Sequence, residues 1–174
     1  NKYAVVVKVG VGKTDVLWSK AAATPVTVTE NGVENTYDGF NARFLRKGGL
    51  QPSMTFDHLT ACVSFNALTK KSAFSSSNEG KDQIKITGIT VLNTPVLAQL
   101  VVASQDDNYK KEGTLIPSKR ENLSESASFM LTDTPAQIGT DFFLAESNSI
   151  KVRLDYDVIS GEAGGATASY SSEY

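Results

Sequence analysis

Apolar and polar residues alternate with a period of two along most of this chain. The clearest run is 149–158, where Ile150, Val152, Leu154, Tyr156 and Val158 fall on one side and Lys151, Arg153, Asp155 and Asp157 on the other. Successive strand side chains point to opposite faces, so the pattern predicts a strand with one buried and one wet face. Residues 55–68 alternate as well: Leu59, Ala61, Val63, Phe65 and Ala67 share one face, and Phe56, His58, Thr60, Cys62, Ser64 and Asn66 the other. That second face is mixed in polarity, as expected of a sheet wall against a loop or a neighbouring subunit. Residues 3–9 are β-branched and read as a further strand. From 84 to 92 the alternation slips at Gly88, with Ile84 and Ile86 before it and Ile89 and Val91 after it. A phase slip at a glycine predicts a β-bulge. Shorter strands are expected at 97–103, 127–131 and Phe142–Leu144.

Turn-forming stretches separate these runs: Asn31-Gly32, Asp38-Gly39, Gly48-Gly49 and residues 75–80. No stretch of about ten residues shows a helical period. Many short strands between regular turn signals predict an all-β antiparallel sandwich or barrel. The expected organisation is one sandwich domain over 1–160, followed by a flexible tail over 161–174, GEAGGATASYSSEY, whose residues are small and polar. Leu59, Val63, Phe65, Ile150, Val152 and Leu154 are expected to meet in one core.

Composition narrows the functional classes. A chain of 174 residues is of one-domain length and long enough to bury a core without metals or disulfides. The net charge of −2 lacks the basic excess of a nucleic-acid binder, and the close pairs Lys70-Lys71 and Lys110-Lys111 lie in polar loop-like stretches. Cys62 is the single cysteine, so no intramolecular disulfide forms, and it reads as a small buried hydrophobe. No apolar run reaches the ~20 residues that span a bilayer. The chain opens on Asn1 with no signal-like segment, as a processed, trimmed or partial chain would.

Motifs for chemistry fail on spacing. VGVGKTD at 9–15 resembles a phosphate loop, but the glycine required five places before the Gly12-Lys13 pair is Val7. His58, the single histidine, would have to serve any Ser-His-Asp triad, yet its neighbour Asp57 points to the opposite strand face. Cys62 is four residues further along, about 13 Å away on a strand, too far for both to ligate one metal at about 2 Å. Asp155 and Asp157 read as the wet side of a strand. Gln105-Asp106-Asp107-Asn108 offers hard oxygen ligands without the spacing of a calcium loop. Trp18 and the tyrosines form no evident aromatic cluster. No catalytic, cofactor-binding or metal site is expected, and no cofactor.

The run MTFDHLTACVSFNA at 54–67 resembles a signature of the fimbrillin family, the pilin-like surface proteins of Bacteroides-type bacteria. The shared pattern is F-x-H-x-x-small-x-apolar-x-apolar, met here by Phe56, His58, Ala61, Val63 and Phe65. TDVLWSKA at 14–21, IKITGITVLN at 84–93, SFMLTDTPAQIG at 128–139 and SIKVRLDYDV at 149–158 are similar to further pieces of that family, in the same order. The likeness covers residues 14–159. Pro135-Ala136-Gln137 stands where the family has Pro-Gln, and the family's earliest strand and second domain have no counterpart. The resemblance implies a transthyretin-like β-sandwich, exported as a lipoprotein, associated with the outer membrane and built into a cell-surface fimbria. It implies assembly with other pilus subunits by β-strand exchange, and surface glycans or proteins as adhesion targets. A donated strand satisfies the open edge of a sheet while its alternate side chains fill pockets.

Two other readings have their own markers. A carbohydrate-binding surface sandwich would expose an aromatic platform. A hydrolase with dispersed carboxylates would hold two carboxyls about 5–10 Å apart in a cleft. The failed glycine spacing makes a nucleotide insensitivity the expected outcome: millimolar ATP should leave the thermal midpoint unchanged, because a ligand that binds the native state raises it. A rise of several degrees would contradict the spacing argument.

Overall fold

Every helix or strand assigned in the computed structural model, which describes residues 3–20, 26–37, 54–69, 82–105, 110–162 and 165–174, is a β-strand. In chain order these are β1 (Ala4–Gly10), β2 (Leu17–Trp18), β3 (Val26–Glu30), β4 (Val33–Tyr37), β5 (Asp57–His58), β6 (Ala61–Val63) and β7 (Asn66–Ala67), then β8 (Gln83–Ser104), β9 (Leu115–Met130), β10 (Ala136–Gln137), β11 (Phe142–Leu144), β12 (Lys151–Ile159) and β13 (Thr167–Glu173). All the strand pairs are antiparallel. The chain is an all-β antiparallel sandwich.

The expected single domain over 1–160 divides into two compact units, residues 1–16 with 59–174, and residues 17–58. The point of division is a local hydrogen-bond clamp. Leu59 N–H donates to the Val16 carbonyl at 2.8 Å. The buried Thr60 hydroxyl accepts from Val16 N–H at 3.2 Å and donates to the Asp15 carboxylate at 2.9 Å. The chain therefore leaves and re-enters the larger unit at one place, and a segment whose ends are held together can be inserted without disturbing its host. In the smaller unit β3 and β4 form a hairpin around Asn31 (φ 55°) and Gly32 (φ 81°), the turn that Asn-Gly predicts. The other expected turns, Asp38-Gly39, Gly48-Gly49 and 75–80, lie outside the described residues, as does Lys70-Lys71.

The larger unit is organised on β8. Residues 83–92 pair with β12 and 97–104 pair with β1, while β9 pairs along both stretches. Since β9 faces the same β8 residues as β12 and β1 do, it occupies the opposite edge. Beyond β12 lies β13, giving the order β1-β8-β12-β13 with β9 on the far side of β8. The expected strands 84–92 and 97–103 are thus one 22-residue strand. The expected bulge is present: Asp155 pairs with Gly88 and Tyr156 with Ile86, so Thr87 is the extra residue. The inserted residue restores the alternation, and Ile86, Ile89 and Val91 all reach the core. A second irregularity, between Val91 and Leu97, carries Asn93 at φ 47° and Pro95, whose missing N–H the ladder accommodates there.

A narrower layer faces this sheet. β6 pairs with β11 and β7 with β10. Ile138, Phe142 and Leu144 from this layer pack on Ile86, Ile89 and Val91, with Val63, Phe65, Phe129, Val152 and Leu154 around them. The rings of Phe65 and Phe142 meet edge to face at 5.8 Å. A smaller cluster joins Val11, Val16, Ala98 and Ala145.

Several expectations are corrected by these pairings. Residues 55–68 do not form one strand but β5, β6 and β7, because the segment changes partner from β2 to β11 to β10. Of the six expected core residues, Val63, Phe65, Val152 and Leu154 join the main core, Leu59 packs on the smaller cluster, and Ile150 precedes β12 and is 45% exposed. Cys62 is exposed rather than buried. The expected flexible tail contains β13, and Tyr174 exchanges two backbone hydrogen bonds with Val152. Small residues fill no pocket, but their backbone can still complete a sheet edge, and Tyr170 adds a stacked contact on Tyr156 at 5.8 Å.

Phe142 is fully buried, so Phe142→Ala should cost roughly 3–5 kcal/mol by leaving a cavity. Ile150→Ala should stay within about 0.5 kcal/mol of the parent. Urea unfolding of the two variants checks both, and equal losses would refute the corrected core.

Candidate functional site

The sheet's edges are where this architecture meets its surroundings. β1 pairs with β8 on one side, and among the described residues no strand pairs with its other side. Val5, Val6 and Val7 are 51%, 38% and 48% exposed. Neighbouring strand residues point to opposite faces, so three consecutive exposed valines mean that neither face of β1 is covered over Val5 to Val7, while Val9, at the other end, packs on the smaller cluster. The seven-residue ladder holds the strand, and Val9 alone of its valines packs on a core cluster.

The other free edges are guarded differently. β9 exposes Pro117, Lys119, Arg120 and Glu121, and its pairing with β8 shifts register four times. Proline, charge and irregular register all hinder a further strand from pairing. β13 carries Glu173 near its end and four polar hydroxyl residues, Thr167, Ser169, Ser171 and Ser172. On β1 the only charge is Lys8. Among the described edges, β1 is the apolar and least protected one.

A polar niche lies where the narrower layer is interrupted between β10 and β11. Gly139 turns at φ 70°, and Asp141 accepts hydrogen bonds from the Ser64 hydroxyl at 2.6 Å and the Gln137 amide at 2.8 Å. Donation from Ser64, then from Gln137 and the Cys62 thiol, holds the Asp141 carboxyl below the usual carboxylate range against the opposing effect of lost hydration. Lost hydration and then the Asp141 carboxylate push the Cys62 thiol up. The thiolate is the nucleophile, so this neighbour keeps an exposed cysteine in its unreactive form. The sequence offered no sign of this pairing, since Cys62 and Asp141 are far apart in the chain.

The remaining sequence candidates separate. His58 sits exposed on β5 in the smaller unit, opposite Leu17, whereas Cys62 belongs to the larger one. Gly12, at φ 97°, exchanges backbone hydrogen bonds with Phe143 at 2.7 and 2.9 Å, joining the end of β1 to β11. A Cβ there would run into the Leu123 side chain, and the left-handed backbone at this position strains any residue but glycine. Lys13 pairs with Glu125 and lies 4.7 Å over the Phe142 ring, and partial burial lowers its ammonium pKa. The phosphate-loop-like string thus stitches the two layers. Asp155 pairs with Arg153 at 3.0 Å, and Asp157 accepts from Ser169 at 2.7 Å. Residues 106–108 of the candidate calcium loop lie outside the described residues.

Among the described residues no group of three or more His, Cys, Asp or Glu is placed to hold a metal, and no helix is long and apolar enough to cross a membrane. In comparisons with known proteins, no family model, no curated protein and no solved structure matches this chain.

Asp141→Asn should speed iodoacetamide alkylation of Cys62 at pH 8, because the charge opposing the thiolate is gone. Its stabilisation by a lowered carboxyl pKa is fully present above the unfolded value of about 4 and is lost as pH falls through the folded value. The thermal midpoints of parent and variant should therefore converge below pH 4. An unchanged alkylation rate would remove Asp141 as the cause of the raised thiol pKa.

Proposed function

We propose that this chain is a non-enzymatic structural and adhesive subunit of a cell-surface fibre of the fimbria type, exported and outer-membrane associated, which joins other pilus subunits by exchange of β-strands. The sandwich it rests on is of the transthyretin-like kind in this reading. The observation that carries it is β1: an apolar edge strand held by its hydrogen-bond ladder while Val5, Val6 and Val7 stay exposed. Such a strand can leave without opening the main core, because the residues of that core come from β8, the β10–β11 segment and their neighbours. Its departure would bare the 97–104 edge of β8, and a strand from another subunit would satisfy the same donors and acceptors. A joint made this way combines many backbone bonds with apolar burial and dissociates slowly, as a fibre under load requires. The ordered likeness of residues 14–159 to fimbrillin sequences points the same way.

A chain lacking residues 1–10 should lose stability and gain a tendency to associate, and a synthetic peptide NKYAVVVKVG should restore its thermal midpoint. A labelled copy of that peptide should also enter the intact chain slowly and remain bound through gel filtration. A truncated chain that stays monomeric and as stable as the parent would sink the exchange mechanism.

A further inference from the structure

The irregular stretch of β8 opens a depression in the surface of the larger unit. Asn93 adopts a left-handed conformation there, φ 47°, fixed on both sides of its residue. Its N–H donates to the Asn122 side chain at 2.8 Å, and its carbonyl accepts from Arg120 Nη1 at 3.0 Å. The segment leading into β12 forms the facing wall. The cavity measures about 530 Å³, within the span of small-molecule sites.

Its lining has a distinct chemistry. Arg120 and Lys151 supply two cations against one carboxylate, Glu146, in a chain whose net charge is −2. Arg120 spends Nη1 on Asn93, and Lys151 makes no ion pair among the described residues. Asn93 and Asn148 bring amides and Ser147 and Ser149 bring hydroxyls. Leu92 and Leu115 give a small apolar surface between them.

We infer that this depression binds an acidic saccharide, with the sugar carboxylate on Arg120 and Lys151 and the ring hydroxyls on the amide and hydroxyl wall. A guanidinium fork matches a carboxylate, while amides and hydroxyls both donate and accept, as sugar hydroxyls do. A bare inorganic anion would leave most of the cavity and its neutral polar groups unused. A neutral sugar seated by stacking would want an aromatic ring, and among the described residues no aromatic lines the cavity. The site goes beyond strand exchange and is independent of it, because no residue of β1 takes part.

The test is titration of the intact ¹⁵N-labelled chain with sodium glucuronate, glucose and inorganic phosphate at low salt. Glucuronate should give saturable shifts of the Asn93, Asn148 and Lys151 amides with a dissociation constant on the order of 1 mM. Glucose and phosphate should each bind at least about tenfold more weakly, a difference of roughly 1.4 kcal/mol. Lys151→Gln, an exposed change whose spectrum elsewhere should match the parent, should weaken glucuronate binding about tenfold, and Arg120→Gln likewise. Shifts that never saturate, phosphate binding as tight as glucuronate, or Lys151→Gln binding like the parent would each overturn the assignment.

Discussion

The backbone of β8 sets the constraint around which the larger unit is built. Ile86, Ile89, Thr90, Val91, Thr94, Ala98 and Val101 are all buried along it, and buried N–H and C=O groups must find partners. A 22-residue strand cannot be served on one edge by a single neighbour of ordinary length. One edge is matched by β9, and the other is shared by β12 and β1. Between those two, Val11 N–H reaches the Val96 carbonyl at 3.0 Å and carries the ladder across the irregular stretch. That stretch also lets one strand contribute to both clusters, through Ile86 to Val91 in the main core and Ala98 in the smaller one.

Stability and exposure are consequently distributed unevenly. The narrower layer covers the β8–β9–β12 part of the sheet, where Phe142 and its neighbours exclude water. β1 lies outside that cover. Over Val5 to Val7 its attachment is the backbone ladder, and only Val9 packs on the smaller cluster, so local opening there leaves the main core contacts in place. The proposed exchange of β1 uses this difference between a packed centre and a loosely held margin. Polar groups on the outer surfaces engage one another: Asp141 with Ser64, Gln137 and Cys62, and Arg153 with Asp155. The depression beside Asn93 differs in presenting Lys151 and most of the Arg120 fork outward.

Individual residues show why some of this was legible in the chain and some was not. The bulge at Gly88 was visible because side-chain parity is a local property, and one extra residue must shift it. The Asn31-Gly32 turn was visible because Asn and Gly suit its left-handed backbone, whereas the two strands it joins were not foreseen. The length of β9 was not foreseen: 123–130 does alternate, but the serines between Leu123, Ala127 and Phe129 read equally as a loop. Ile150 obeys the parity of Val152 and Leu154 yet lies exposed, because parity fixes a face and not the extent of its cover.

Strand parity, turn chemistry and the absence of helical period were determined by the sequence itself, since each depends on residues only a few positions apart. These were enough for an all-β antiparallel sandwich. Which strands are neighbours, where 55–68 breaks, that 167–173 completes an edge, and that Cys62 meets Asp141 were decided only in the tertiary structure. Those outcomes depend on which distant backbone satisfies each ladder, a competition among partners that no local pattern encodes. The openness of β1 and the grouping of Arg120 with Lys151 follow from the same competition.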